Sequence, residues 1–435
     1  MSASTAGSVG VPTEPLPISP HPVAWKDMIH SLRFPGYRRY AVGLVSASTA
    51  SWMARIAIDW LALEISGSAT FLGVVLATQL VPPMVLGVWG GVLSDRVSPR
   101  AAVIVTQLLF AVCFGVLAIA TLLGAVSVPL ILVMSAIIGA VGCVDGPSRA
   151  RLTAQAVSLT ALPNAISLNA VIPQIGGIAG AALAGLTIAS IGTGGALVGA
   201  TLGLLLGAIS VLTIHPSHVG VGSTVTATRG TATEALRYAA RKPTILLPLV
   251  MVGTLSLSAL TASPLLAWMA ETGFQSGASG YSLYSMAIAV GALIGSIVST
   301  RRRRFSVTAN AVLLGLAGIM WMVCAGLPWV GAFLAGLVAS GVLRMIFLVA
   351  NDTLTQLSAN PTIRGRIVGL YLAIATGGQA IGSIGLGWLV TSFGGSVAFL
   401  VTGAVPVIVA IAVAIIARRR AQDDRARAER ARRPL

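Results

Sequence analysis

The sequence predicts an all-α membrane protein with twelve transmembrane helices in two six-helix bundles. Three observations carry that prediction. The 435 residues are 56% hydrophobic and only 9% charged, with 49 glycines, whereas a soluble domain carries about 25% charged residues. The lysines and arginines fall on one side of the apolar runs. A glycine-rich segment recurs at a fixed offset across the middle of the chain.

A helix that crosses about 30 Å of hydrocarbon needs about 20 mostly apolar residues. Twelve segments meet that requirement: 40–62, 70–92, 101–124, 128–148, 165–189 and 194–214, then 244–268, 279–300, 306–326, 328–349, 367–391 and 397–417. Pro82-Pro83, Pro173 and Pro264 fall inside them, which membrane helices tolerate better than soluble ones. Around the spans lie a tail, 1–37, rich in Ser, Pro and Gly and without the apolar core of a signal peptide, and a Thr-rich basic connector, 215–243. The two bundles are therefore 38–214 and 244–417, followed by a basic tail, 418–435.

The formal charge of +16 first suggests nucleic acid. Its distribution argues otherwise. With the N-terminus placed in the cytoplasm, every lysine and arginine lies in a cytoplasmic segment except Arg55 and Arg344, which lie within spans. Positive charge retained on one side is a topology signal. Both termini are expected in the cytoplasm, with the basic ends close to anionic lipid.

Gly180-Ala-Ala-Leu-Ala-Gly185, followed by Ser190-Ile-Gly192, returns as Gly382-Ser-Ile-Gly-Leu-Gly387, followed by Ser392-Phe-Gly394, each position 202 later. The first copy falls in span 5 and the second in span 11, so the chain reads as six helices, a linker and six more. Parallel halves around a central cavity are a transporter arrangement. Gly180, Gly185, Gly382 and Gly387 are candidates for close helix packing.

Between spans 2 and 3 stands GGVLSDRVSPR, in which Gly91-x-Leu93-x-Asp95-Arg96-x-x-x-Arg100 resembles the signature loop of the major facilitator superfamily. SLRFPGYRRYAVG, SWMARIAIDWLALEISGSATFLGVV, ALPNAISLNA and IRGRIVGLY resemble its enterobactin-exporter-like branch, and the likeness runs from residue 31 to about 417. The resemblance implies the major facilitator fold and efflux of drugs, siderophores or natural products. It also implies that Asp95 latches onto the start of span 11 as part of a cytoplasmic gate. An acid at that place can accept hydrogen bonds from the free amides of a helix start, and arginines can pair with neighbouring acids. A generic polar turn with orienting arginines is the plainer alternative, above all for Arg100. The sequence departs from the family pattern at Ser98-Pro99, at Ala181 where exporters often carry proline, and in the matching loop before Arg301 to Arg304, where Ser299 replaces the acid.

Ionisable residues inside a membrane are costly and usually functional. Arg55 and Asp59 share one face of span 1. Asp59 can carry a proton or meet a cationic substrate, with Arg55 tuning it; a self-neutralising packing pair is the competing reading. Asp145, Arg149, Arg344 and Asp352 are further gate candidates. Asp145 is expected to pair with Arg96 or Arg100, and Arg344 to snorkel to the cytoplasmic interface. Glu64 and Glu271 fall at the outer surface.

These readings lead to a proton-coupled exporter of an amphipathic small molecule, working by alternating access as a monomer in the bacterial inner membrane. A major facilitator importer is the alternative, and a channel would show flux without saturation. Small-molecule substrate, protons and membrane lipid are the expected partners, without nucleic acid. No enzyme is expected: His21, His30, His215 and His218 form no triad or metal spacing. No phosphate-cradling glycine loop ends in Lys-Ser or Lys-Thr. No cofactor or metal is expected, and Cys113, Cys143 and Cys324 read as small core residues.

Overall fold

The computed structural model describes residues 30–158, 161–214, 232–258, 260–299, 306–360 and 363–432, and their regular structure is helical throughout. The tail before residue 30, most of the basic connector, Arg301 to Arg304, His21, His215 and His218 lie outside the described residues.

The first half comprises α1 (Pro35–Ser66), α2 (Ala69–Arg96), α3 (Pro99–Leu122), α4 (Val128–Ala156) and a helical stretch, Leu162–Leu212. After the connector come α7 (Ala232–Arg241), α8 (Pro243–Ser258), α9 (Ser263–Trp268), α10 (Gly277–Ser299), α11 (Val307–Cys324), α12 (Val330–Ser358), α13 (Arg364–Phe393) and α14 (Gly395–Arg432). Among the described residues, eleven helical stretches are long and apolar enough to cross a membrane. One of these, Asn164–Leu212, has 49 residues, far more than one crossing needs.

That stretch is two helices, 162–191 (α5) and 193–212 (α6). Gly192 sits between them at φ 79° and ψ 175°, a conformation essentially reserved for glycine. Its neighbours prove the reversal. Ser48 and Thr49 of α1 lie beside Gly176 and Gly180, whereas Gly43, Ala50 and Met53 lie beside Gly207, Gly203 and Gly199. Advancing along α1 therefore means advancing along α5 and retreating along α6. Among the described residues, twelve stretches suited to crossing a membrane result. Gly394, 202 residues later, breaks the chain between α13 and α14 at φ 82° and ψ 168°.

The repeat extends to packing. A Cβ on Gly180 would collide with the Thr49 carbonyl, and one on Gly382 with the Leu257 carbonyl, each within its own half. A Cβ on Gly185 would press on Ser282, and one on Gly387 would meet the Ala69 carbonyl, each across the seam between halves. The first glycine of each copy thus closes a half, and the second joins the two.

Local chemistry explains the loops. Ser98 accepts a hydrogen bond from the Ala101 amide with Pro99 in the first turn of α3, a favoured start for a helix. The departure at Ser98-Pro99 is a cap. Gly67 ends α1 in the left-handed region at φ 61°. Val105, Leu108, Val112 and Ile119 form an exposed apolar stripe on α3, a surface suited to a membrane helix.

Two elements depart from expectation. The connector contains α7, with Glu234 in its first turn and Arg241 in its last, a charge order that suits the helix dipole. Its Ala239 packs with Ile245, Ile367 and Tyr371 of the second half. Span 7 is interrupted between α8 and α9, and a π-helical turn, Met269–Gly273, follows α9.

Candidate functional site

The bundle has two ends. The chain reverses at Gly67, Gly192 and Gly394 at one, the turn end; the signature loop and α7 lie at the other, the linker end. The halves meet through α2 with α13 and through α5 with α10.

At the turn end the seam is shut. Thr70 and Thr391 hydroxyls are 3.0 Å apart, and the Ser383 hydroxyl donates to the Gly73 carbonyl at 2.9 Å. A Cβ on Gly73 would overlap the Ser383 carbonyl. The third link is Asp59. Its side chain is fully buried on α1, and Tyr281 Oη of α10 donates to Asp59 Oδ2 at 2.6 Å. Ser263, at the start of α9, lies beside both. Asp59 Oδ1 has no hydrogen-bond partner among the described residues. Trp60 stacks on Tyr281, with ring centroids 6.3 Å apart, and helps line a turn-end cavity of about 430 Å³ that Glu64, Trp268 and Glu271 also face.

Arg55 does not form a contact ion pair with Asp59. It is half-buried, and its guanidinium sits 5.4 Å from the centre of the Trp52 ring. The direct contact that the competing reading of a self-neutralising pair calls for is therefore not made, although Arg55 stays near enough to act on Asp59 through its charge.

At the linker end the seam is splayed. A Cβ on Gly87 or Gly91 of α2, or on Gly365 or Gly369 of α13, would meet nothing within 4 Å. Among the described residues, no side-chain hydrogen bond or ion pair joins the halves there.

Comparison with known proteins decides what kind of molecule this is. The family model described as transmembrane secretion effector, of MFS type, matches residues 31–435. The chain belongs to that family of major facilitator transporters. An uncharacterized MFS-type transporter, y4rN of Sinorhizobium fredii, is 24% identical over 401 residues, 85% of this chain and 94% of the relative. The staphyloferrin A transporter of Staphylococcus aureus is 24% identical over 147 residues, 32% of this chain and 35% of its own. The nucleoside transporter NupG aligns with TM-score 0.65 at 14% identity, over 86% of this chain and 98% of its own. A bacterial homologue of the human lysosomal transporter Spinster, inward-facing and occupied, aligns with TM-score 0.67 at 14% identity, over 89% and 97%. The two structures share the fold.

In this transporter the signature loop is not latched. Asp95 is 64% exposed and pairs with Arg151 of α4 in its own half at 3.6 Å. Arg151 also donates to the Ser94 carbonyl, and Ser94 and Ser148 hydroxyls lie 2.9 Å apart. Arg96 is exposed. Arg100 donates to the Val211 and Leu212 carbonyls at 3.3 and 2.5 Å, satisfying the open carbonyls that end α6. Asp145 pairs with Arg149 at 2.5 Å and accepts from Thr106 at 2.7 Å, so it does not hold Arg96 or Arg100. Asp352 accepts from Gln356 one turn on. These contacts all stay within one half.

Arg344 also departs from expectation. It does not snorkel: it is 6% exposed at the midpoint of α12, 5.5 Å from the centre of the Trp321 ring on α11. A cation at that depth costs about 3 kcal/mol or more. Sequence reasoning had no means to find Tyr281, Ser263 or Trp321, whose roles come from helices meeting in space. It likewise missed Glu234, which receives Arg366 Nη1 at 2.8 Å and ties α7 to the start of α13.

Proposed function

We propose that this transporter is a proton-coupled exporter, moving an amphipathic small molecule out of a bacterial cell by alternating access. Asp59 carries the proton. The observation that supports this most is a carboxyl sealed in the seam between halves, bonded to Tyr281 of the opposite half, with its second oxygen unpartnered. Opening the turn end exposes that carboxyl to the outside; closing it buries the group in a medium hostile to charge. Protonation removes the charge that closure must bury, so it favours the state shut at the turn end, and proton loss favours the reverse. The one-sided placement of basic residues supports a cytoplasmic linker end and an inner-membrane location, and the family description supports outward movement.

Everted vesicles test the reading. Supplied with a small-molecule extract of the producing cells and made acidic inside, they are expected to accumulate a defined set of compounds only when the transporter is present. A proton ionophore should discharge that gradient of compounds. Accumulation in right-side-out vesicles instead would identify an importer.

A further inference from the structure

Arg344 carries a second inference. Its guanidinium lies midway through the bundle, packed on Trp321, with Nη1 unpartnered among the described residues. Among the described residues no acid pairs with it. Between Glu271 and Asp352 the sequence has no Asp or Glu, and none again until Asp423. Glu271 faces the turn-end cavity, and Asp352, two turns toward the linker end, accepts from Gln356. In the first half Asp59 is taken by Tyr281, Glu64 by Thr193, Asp95 by Arg151 and Asp145 by Arg149.

A second polar group waits beside it. Ser340 precedes Arg344 by one turn on the same face of α12 and is fully buried, yet its hydroxyl has no partner among the described residues. Farther along that helix, Thr353 and Thr355 return their hydroxyls to carbonyls four residues back, the usual solution in a membrane helix. An arginine side chain on a helix leans toward the N-terminal turn, which carries the guanidinium toward Ser340.

We propose that Arg344 and Ser340 form an anion-binding site in the second half, and that the group they take is a carboxylate or phosphate of the transported molecule. A planar guanidinium braced on an indole matches those groups in two-point contact. The proposal deepens the transport reading, on which it rests for the identity of the anion, and it separates substrates carrying an acid group from neutral isosteres.

The test is equilibrium binding by the full chain in nanodiscs, without any pH gradient. Four probes are used: 1-naphthoate and 1-naphthyl phosphate, with their uncharged counterparts 1-naphthamide and 1-naphthol. In phosphatidylcholine discs the acids should raise the melting temperature and the uncharged pair should not. Arg344→Gln should abolish that rise, Arg344→Lys should retain part of it, and Ser340→Ala should weaken it severalfold. Free Arg344→Gln should melt higher than wild type, because an unneutralised buried charge has been removed. Discs containing phosphatidylglycerol identify the source: an Arg344-dependent rise from that lipid alone makes the anion a headgroup, whereas a rise from the soluble acids makes it cargo. The proposal is overturned if Arg344→Gln melts lower than wild type, or if the soluble acids give no Arg344-dependent rise, a rise from the lipid alone included. Binding is read without any pH gradient and proton coupling only with one, so failure of the anion site and failure of proton coupling give different results.

Discussion

Asp59→Asn is expected to reduce pH-driven accumulation in everted vesicles to background while leaving the protein folded. Asparagine fills nearly the same space and still accepts a hydrogen bond from Tyr281, so the seam at the turn end can close. It cannot change charge. Driving a two-state equilibrium from one side to the other takes about 5.5 kcal/mol of differential stabilisation, and the variant has no titrating group in the seam to supply it. Exchange of compound between vesicle compartments at equal pH should survive, because exchange requires no net proton movement. Tyr281→Phe offers the contrast. It strips Asp59 of its donor at 2.6 Å and leaves a buried acceptor unsatisfied, a loss of about 1–3 kcal/mol. Transport should slow yet keep its pH dependence. Undiminished pH-driven accumulation by Asp59→Asn would remove Asp59 from the mechanism.

Gly73→Val should block transport by a different route. The added side chain meets the Ser383 carbonyl and the Ile384 backbone across the seam, and backbone on a packed helix cannot swing aside as a flexible side chain can. Overpacking of this kind costs about 1–3 kcal/mol. Because the contact exists only while the turn end is shut, the cost falls on that state alone. A difference of 1–3 kcal/mol shifts a conformational equilibrium by about 5–150-fold, here toward opening at the turn end. Thermal stability should change little. Gly180→Val provides the control: its clash with the Thr49 carbonyl lies within one half, so it should lower stability instead of moving the equilibrium. Equal thermal destabilisation by both variants would contradict this division of labour between glycines.

The sequence contained most of the architecture because the membrane imposes it. Apolar length gave the spans, and the stranded positive charge is the ground for their proposed direction. The offset of 202 is the ground for the two halves, and it returns in the paired backbone breaks at Gly192 and Gly394. Charged residues were visible as exceptions in an apolar chain, so Asp59, Arg55 and Arg344 stood out. Their partners did not. Tyr281 is 222 residues from Asp59, and no local periodicity announces a contact made where two bundles meet. Spacing also misled: four residues placed Arg55 and Asp59 on one face, yet the Trp52 ring drew the guanidinium instead. Asp145 was read as a link to the signature loop, but Arg149, one turn away on the same helix, takes it first. The latch expected from Asp95 to span 11 is not made in the state described, where Asp95 pairs with Arg151 and the start of α13 is engaged by Glu234 of α7.

The central claim is that proton binding at Asp59 decides which end of the bundle is closed. Distances between spin labels across the seam test it most directly, with one pair at Val97→Cys and Gly365→Cys and another at Ile65→Cys and Gln275→Cys. Native cysteines need not interfere, since Cys113, Cys143 and Cys324 are buried. At acid pH the first pair should be far apart and the second close. Raising the pH should draw the first together and spread the second, while Asp59→Asn should hold the acid distribution at every pH. Distances in the wild type that ignore pH, or an Asp59→Asn variant that follows pH as the wild type does, would contradict the account.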